Sequence, residues 1–260
     1  MINSGQAITV RGDGEKLITS VSGDVKLLVG SKDNGAGTLN LGDAGLTSGG
    51  SLDGTLSIAD ESTVNVRAGM FSISTMEGTS SSAITIGTAQ NAGGLTVGKA
   101  SLNGANVFLD PAWKDGGNLV SDASIGVFES FANGAVDGRF AVGRNSLLVL
   151  GDKDSAWAQK AVQDALDNAD LAWGKDSVTA ALAIKSSQKL SATGALLVDG
   201  SLATAPSVTE NTATFAGQSL LVVNAAAADG EGALQGDGTS RLSVDGGAKL
   251  HIMDVKGSQE

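Results

Sequence analysis

The chain has 260 residues, with 37 glycines, 2 prolines, no cysteine, no tyrosine and a formal net charge of −11 from 28 acidic and 17 basic side chains. The lack of cysteine excludes disulfides, thiolate metal sites and cysteine nucleophiles. The acidic balance, without any basic block, opposes binding to nucleic-acid backbones and to anionic lipid. Glycine stands at about twice its usual share but follows no three-residue period, which excludes collagen. Hydrophobic residues at 41% are enough to fill a core. No apolar run approaches the roughly 18 residues of a spanning helix, so no direct membrane insertion is expected of this segment. The chain begins Met1-Ile2-Asn3-Ser4-Gly5 with neither a basic nor an apolar leader pattern, so any secretory signal is expected to have been removed or to lie outside these residues.

In chain order, pairs of aliphatic residues two positions apart recur from the N-terminus onward: Ile8/Val10, Leu39/Leu41, Leu56/Ile58 with Val64/Val66, Ile84/Ile86, Leu95/Val97 and Val107/Leu109. Each doublet has the period of a strand with one buried face. The spacing Leu56, Ile58, Val64, Val66 returns as Phe140, Val142, Leu148, Leu150 and again as Leu242, Val244, Leu250, Ile252. These copies indicate a degenerate repeat whose unit cannot bury its apolar face alone, so neighbours must stack into a continuous core. Asp13-Gly14, Asn34-Gly35, Asp53-Gly54 and Asn103-Gly104 punctuate this half as turn signals that favour positive φ. The polar stretch Ala59 to Thr63 is too long for a two-residue hairpin, which favours corners between solenoid faces; an antiparallel sandwich is the structural alternative. Scarce aromatics suit a narrow interior of Val, Leu, Ile and Ala, and Met70 and Met76 are expected to fill core gaps.

Asp110-Pro111-Ala112-Trp113 interrupts the rhythm because proline removes a ladder donor. Doublets resume through Val120, Ile125/Val127 and Phe140 to Leu150. Residues 155–173 differ in kind. Trp157, Ala161, Ala165, Leu166, Ala169, Ala172 and Trp173 recur at helical steps, with Lys160, Asp164, Asp167 and Asp170 between them. Asp154 or Ser155 can cap the start and Gly174 the end. Trp157, Leu166 and Trp173 are the expected anchors by which this amphipathic helix docks on the solenoid, since a helix of this length is marginal alone. Strand doublets return at Leu196/Val198, Leu220/Val222 and Leu242/Val244. The expected organisation is therefore a β-solenoid over 1–151, a helical insertion over 152–176 and a solenoid continuation over 177–260. About ten turns, on the order of 50 Å long at 4.8 Å per strand, are predicted.

Gly-rich doublets, the missing cysteine, the acidic balance and the run Arg241-Leu-Ser-Val-Asp-Gly-Gly-Ala-Lys-Leu-His-Ile252 resemble the passenger domains of bacterial autotransporters, the AIDA and pertactin-like group above all. The resemblance spans nearly the whole chain apart from the Ala-rich helical segment, which departs from it. It implies an all-β fold, a right-handed parallel β-helix, exported by type V secretion through a C-terminal β-barrel that would lie outside these residues. It implies a place at the bacterial cell surface or beyond it, and adhesion as the role, with a host-cell protein or glycan, or a second copy, as partner. A structural stalk or surface-layer segment is the alternative, and a polysaccharide-acting β-helix enzyme a further one.

Among candidate sites, Arg11-Gly12-Asp13 could present a cation and a carboxylate together on an exposed turn, as an integrin-type adhesion motif does. His251 is the only histidine, so any Ser-His-Asp or paired-histidine chemistry must pass through it. Its place between Leu250 and Ile252 is an outward strand position, and no Gly-x-Ser-x-Gly elbow accompanies it. Asp152, Asp154, Asp164, Asp167 and Asp170 match no calcium-binding repeat and read as a solvated face. The chain is therefore expected not to be an enzyme, and to need no catalytic residue, metal or cofactor.

Overall fold

The computed structural model describes residues 7–10, 21–42, 49–88, 91–109, 124–144, 146–151, 160, 180–184, 188–191, 193–199, 209–216, 219–224, 234–235, 241–244 and 249–253. These form two nine-stranded sheets and one three-stranded sheet. Sheet II stacks β1 (Ala7–Val10), β3 (Thr38–Leu41), β5 (Thr63–Val66), β7 (Ala83–Ile86), β9 (Asn106–Leu109), β12 (Arg139–Val142), β16 (Ala195–Asp199), β17 (Thr212–Ala216) and β20 (Arg241–Val244) in that order. Sheet I stacks β2 (Val21–Val29), β4 (Gly50–Ile58), β6 (Gly69–Glu77), β8 (Gly93–Ser101), β10 (Ser124–Phe128), β13 (Ser146–Leu150), β14 (Ala180–Ile184), β18 (Ser219–Asn224) and β21 (Lys249–Met253). Sheet III holds β11 (Ala135–Val136), β15 (Gln188–Leu190) and β19 (Leu234–Gln235).

Every strand pairing is parallel, so the antiparallel sandwich is excluded. Among the described residues the two larger sheets have nine strands each, close to the roughly ten turns expected, and give a stack on the order of 40 Å long.

The doublets explain the register. Leu39, Val64, Ile84, Val107, Phe140 and Leu196 stand on one another across sheet II, and Leu41, Val66, Ile86, Leu109, Val142 and Val198 form the parallel column two residues on. All twelve are buried and belong to one core. A one-residue slip would turn both columns to solvent, which is why aliphatic doublets hold the register so firmly. The corner leading into each sheet II strand is occupied by small buried residues, Ser62, Ser82, Ala105 and Gly138. A Cβ on Gly138 would lie 2.5 Å from Leu102 Cδ1, and the buried Ser62 hydroxyl accepts from the Gly37 amide at 3.1 Å, so each corner is tied to the coil below it.

Several sequence expectations are corrected. The three copies of the 0, 2, 8, 10 spacing are not one repeat in phase. Leu56/Ile58 to Val64/Val66 turns from sheet I into sheet II, whereas Phe140/Val142 to Leu148/Leu150 and Leu242/Val244 to Leu250/Ile252 turn from sheet II into sheet I. Both corners happen to take the same number of residues, so spacing alone conflates them. Asp53-Gly54 is no turn: it lies inside β4 where the register slips between Leu52 and Thr55. Met76 is buried as expected, but Met70 is 50% exposed, lying outward over Gly94, whose Cβ would sit 1.9 Å from its Sδ.

At Ile125/Val127 the inward positions are instead Gly126/Phe128, which pair with the inward Leu148/Leu150, and in β18 it is Leu221, not Leu220, that belongs to the core, paired with Leu182. Gly126 hides the true doublet from a hydrophobicity count, and its missing side chain leaves room that Leu109 and Ile86 fill, at 3.1 and 3.3 Å from the place of a Cβ.

The helix expected over 155–173 is not seen as an element. Lys160 alone is described there, exposed and in helical conformation; Trp157, Leu166 and Trp173 lie outside the described residues. The strands break where the sequence breaks, β13 ending at Leu150 and β14 beginning at Ala180. β13 and β14 are direct neighbours in sheet I, while β12 and β16 are direct neighbours in sheet II. The chain between β13 and β14 therefore adds no strand to either sheet among the described residues.

Aromatic residues, scarce as they are, concentrate inside. Phe128, Phe131 and Phe140 meet where sheet III begins, with Phe128 edge-on to Phe140 at 4.9 Å between centroids and Phe131 edge-on to it at 6.3 Å. In the earlier coils the core holds one described phenylalanine, Phe71, among aliphatic side chains and Met76.

Candidate binding surface

Outward residues between the columns form rows of their own, because side chains alternate along a strand and stack across it. On sheet II, Asn65 Nδ2 donates at 2.9 Å across neighbouring coils to Oδ1 of Asn40, itself only 4% exposed, and Thr85 continues the row. On sheet I, Ser51 and Ser72 are exposed register partners, and the Ser74 hydroxyl donates to Asp53 Oδ1 at 3.1 Å. At the corner after β4, Ser81 Oγ donates to Asp60 Oδ1 at 3.0 Å. Lys26 Nζ reaches Glu77 Oε2 at 2.7 Å, spanning the coil between them, and this hydrogen bond holds the Glu77 carboxyl below the usual carboxylate range. The face over the first coils is thus a lattice of hydroxyl, carboxamide and carboxylate groups repeating every 4.8 Å or so along the stack. Such a lattice can hydrogen-bond an extended sugar or peptide chain.

One carboxylate is set apart by burial. Asp137, 4% exposed, accepts from the Leu102 amide at 3.1 Å and from the Asn103 amide at 3.3 Å. Its own carbonyl accepts from the Gly104 amide at 2.6 Å. Asn103 and Gly104 both have positive φ, 51° and 83°, so this left-handed corner leaves amides that Asp137, from the next coil, satisfies. Burial pushes its carboxyl above the usual range, against the lowering effect of those amides. Arg139 ties its own coil to three others, donating from Nε to Gly104 O at 2.8 Å and from Nη2 to Ser80 O at 2.7 Å, with Glu210 Oε1 at 3.6 Å from its Nη1. Both residues consolidate the stack and are not placed to do chemistry on a ligand.

Of the residues expected to function, Arg11, Gly12 and Asp13 lie outside the described residues, between β1 and β2. His251 is on β21 at the register position of Val222, with no second histidine anywhere in the chain. Among the described residues no cluster of three or more His, Asp or Glu side chains could hold a metal ion.

The Asn40–Asn65 pair and Asp137 were not singled out from the sequence. The first was legible, since Leu39-Asn40-Leu41 and Val64-Asn65-Val66 put the same carboxamide at the centre of successive doublets. Asp137 carried no local signal, because its partners lie 34 and 35 residues away. Comparisons with protein-family models, with curated proteins and with solved structures gave no match.

Proposed function

We propose that this chain is a right-handed parallel β-helix acting as an adhesin-like binding scaffold outside a bacterial cell, a passenger segment of an autotransporter whose β-barrel lies outside these residues. The observation that supports this most is the parallel stacking of nine described strands in each of the two larger sheets, with polar outward rows over the first coils. A filled interior makes a stiff rod, and function is left to the outward rows and to the segments that interrupt them. Repetition of like groups along the rod favours many weak contacts made at once, which is how a multivalent surface gains avidity. The partner on this reading is a host-cell protein or glycan, or a second copy of the chain.

The test uses the whole chain, coupled to fluorescent beads and presented to epithelial cells, immobilised matrix proteins and a glycan array, with sedimentation to detect self-association. Saturable binding to one of these, weakened at least tenfold by Ser51→Ala with Ser72→Ala or by Asp13→Ala, supports the adhesin. Absence of all binding and of self-association would leave a stalk. Release of new reducing ends from acidic polysaccharides would replace it with an enzyme.

A further inference from the structure

The tripeptide Asn-Gly-Ala occurs three times, at Asn34-Gly35-Ala36, Asn103-Gly104-Ala105 and Asn133-Gly134-Ala135, each in a connection between strands. It holds two groups that can react with each other. The Asn carboxamide carbon is an electrophile, and the amide of the following glycine, unhindered by a side chain, is a nucleophile within reach of it. All three glycines have positive φ, 69°, 83° and 68°, so the backbone of the glycine does not separate the sites. What separates them is how firmly the reacting atoms are held. At Asn103-Gly104 they are fixed by their own coil and by both neighbours. The Asn103 carboxamide donates to Gly78 O at 3.2 Å and to Ser101 O at 3.3 Å, and the Asn103 amide donates to Asp137 Oδ2 at 3.3 Å. The amide of Gly104, a buried residue, donates to Asp137 O at 2.6 Å. At Asn34-Gly35 the carboxamide donates to Ser31 Oγ at 2.9 Å within its own loop.

Asn133-Gly134 lacks such a hold. Its coil is tied to the stack where the Ala132 amide donates to Ala100 O at 2.7 Å, and again where Ala135 pairs with Lys189. Asn133 and Gly134 bridge these two points, and both are exposed. A Cβ on Gly134 would meet nothing within 4 Å, so the approach to its amide is open, and the Asn133 side chain has no hydrogen bond among the described residues. The Gly134 amide donates to Phe131 O at 3.0 Å inside the same turn; breaking that bond separates no pair of coils, which makes it an inexpensive local opening. We propose that Asn133-Gly134 is a self-modification site, where the chain converts Asn133 to aspartate and isoaspartate while stacking of the coils keeps Asn103 intact. The Gly134 amide gives its proton to solvent base and its nitrogen bonds to Asn133 Cγ. The bond from Cγ to the side-chain nitrogen breaks, and that nitrogen takes a proton and leaves as ammonia. Water then opens the five-membered imide at either carbonyl: one opening gives aspartate, and the other gives isoaspartate, in which the main chain runs through Cβ and Cγ. Either product adds one negative charge at an exposed tip directly before β11.

The shared tripeptide makes the chain its own control. Trypsin places the three sites in different peptides, because Lys32, Arg67, Lys99, Lys114 and Arg139 stand between and around them. The full chain is incubated at mildly alkaline pH, folded in one arm and unfolded in concentrated urea in the other. Each peptide is then scored by mass spectrometry for the amide-to-acid mass gain and by chromatographic retention for isoaspartate. In urea the three sites should convert at similar rates, since the local sequence alone then governs them. In the folded chain Asn133 should convert at least tenfold faster than Asn103. Asn103 keeping pace with Asn133 in the folded chain, or folding slowing both equally, would overturn the proposal. Gly134→Ala tests the route, because its added Cβ lies in open space in the fold yet hinders attack by the amide. It should slow conversion at 133 at least tenfold and leave the rate at 103 unchanged. Conversion at 133 that persists undiminished in this variant would mean direct hydrolysis of the side chain by water, and would refute the imide.

Discussion

Asp137 shows how one side chain joins coils distant in sequence. Asp137→Ala strands the Leu102 and Asn103 amides, and loss of partners for buried donors costs roughly 1–3 kcal/mol; chemical denaturation should read that loss at neutral pH. The titration runs opposite to that of a paired surface acid. Its folded pKa is raised above the ordinary 3.8, so its contribution to stability is complete below that value and is lost as pH climbs through the folded value. Asp137→Asn removes the titration. The difference in urea midpoint between variant and parent should therefore move in the variant's favour from pH 3 upward and then level off; a difference independent of pH would refute the account. Gly42 sets a steric limit of another kind. It has φ of 75°, and a Cβ there would sit 2.0 Å from the Ala68 carbonyl oxygen of the next coil. Gly42→Ala combines left-handed strain with a backbone clash and should lower stability by at least 1–3 kcal/mol, roughly the cost of one strained residue.

At the level of elements, the strands hold together through their columns far more than through surface pairs. Phe140 fills its place in sheet II between Val107 and Leu196 and packs edge-on to Phe128. Phe140→Ala should cost about 3–5 kcal/mol, a loss visible as a large fall in melting temperature. Lys26→Ala breaks an ion pair whose side chains are 50% and 42% exposed, and exposed pairs contribute about 0–1 kcal/mol. It should leave the melting temperature nearly unchanged, so comparable losses from the two variants would contradict a column-dominated stack. The doublets in sheet II were readable as inward pairs because one face is apolar and the other polar. In β10 that contrast disappears, with Gly126 inside and Ile125 and Val127 buried outside, so alternation pointed to the wrong face.

For the whole molecule, nine-strand sheets running in parallel predict circular dichroism dominated by strand and small-angle scattering from an elongated particle with a stack on the order of 40 Å. A compact sphere or a helix-dominated spectrum would contradict the fold. The net charge of −11 adds a solubility term that falls as the carboxylates protonate, and it leaves the rod without attraction for polyanions.

Periodicity two and an excess of glycine were sufficient, without coordinates, to establish strands, corners and a shared stacked core. These are properties of each coil by itself, and hydrophobic alternation expresses them locally. Long-range pairing alone decided which corner each repeat copy represents, that β13 and β14 are neighbours across an interruption, and that the outer face of sheet I is buried over β10, β13 and β18, where Ile125, Leu147 and Leu220 are buried outside the central core. Those features arise when residues tens of positions apart come into register, and a local pattern carries no record of which coil will lie above it. The same reason hid Asp137: its amide partners become neighbours only when the coils stack.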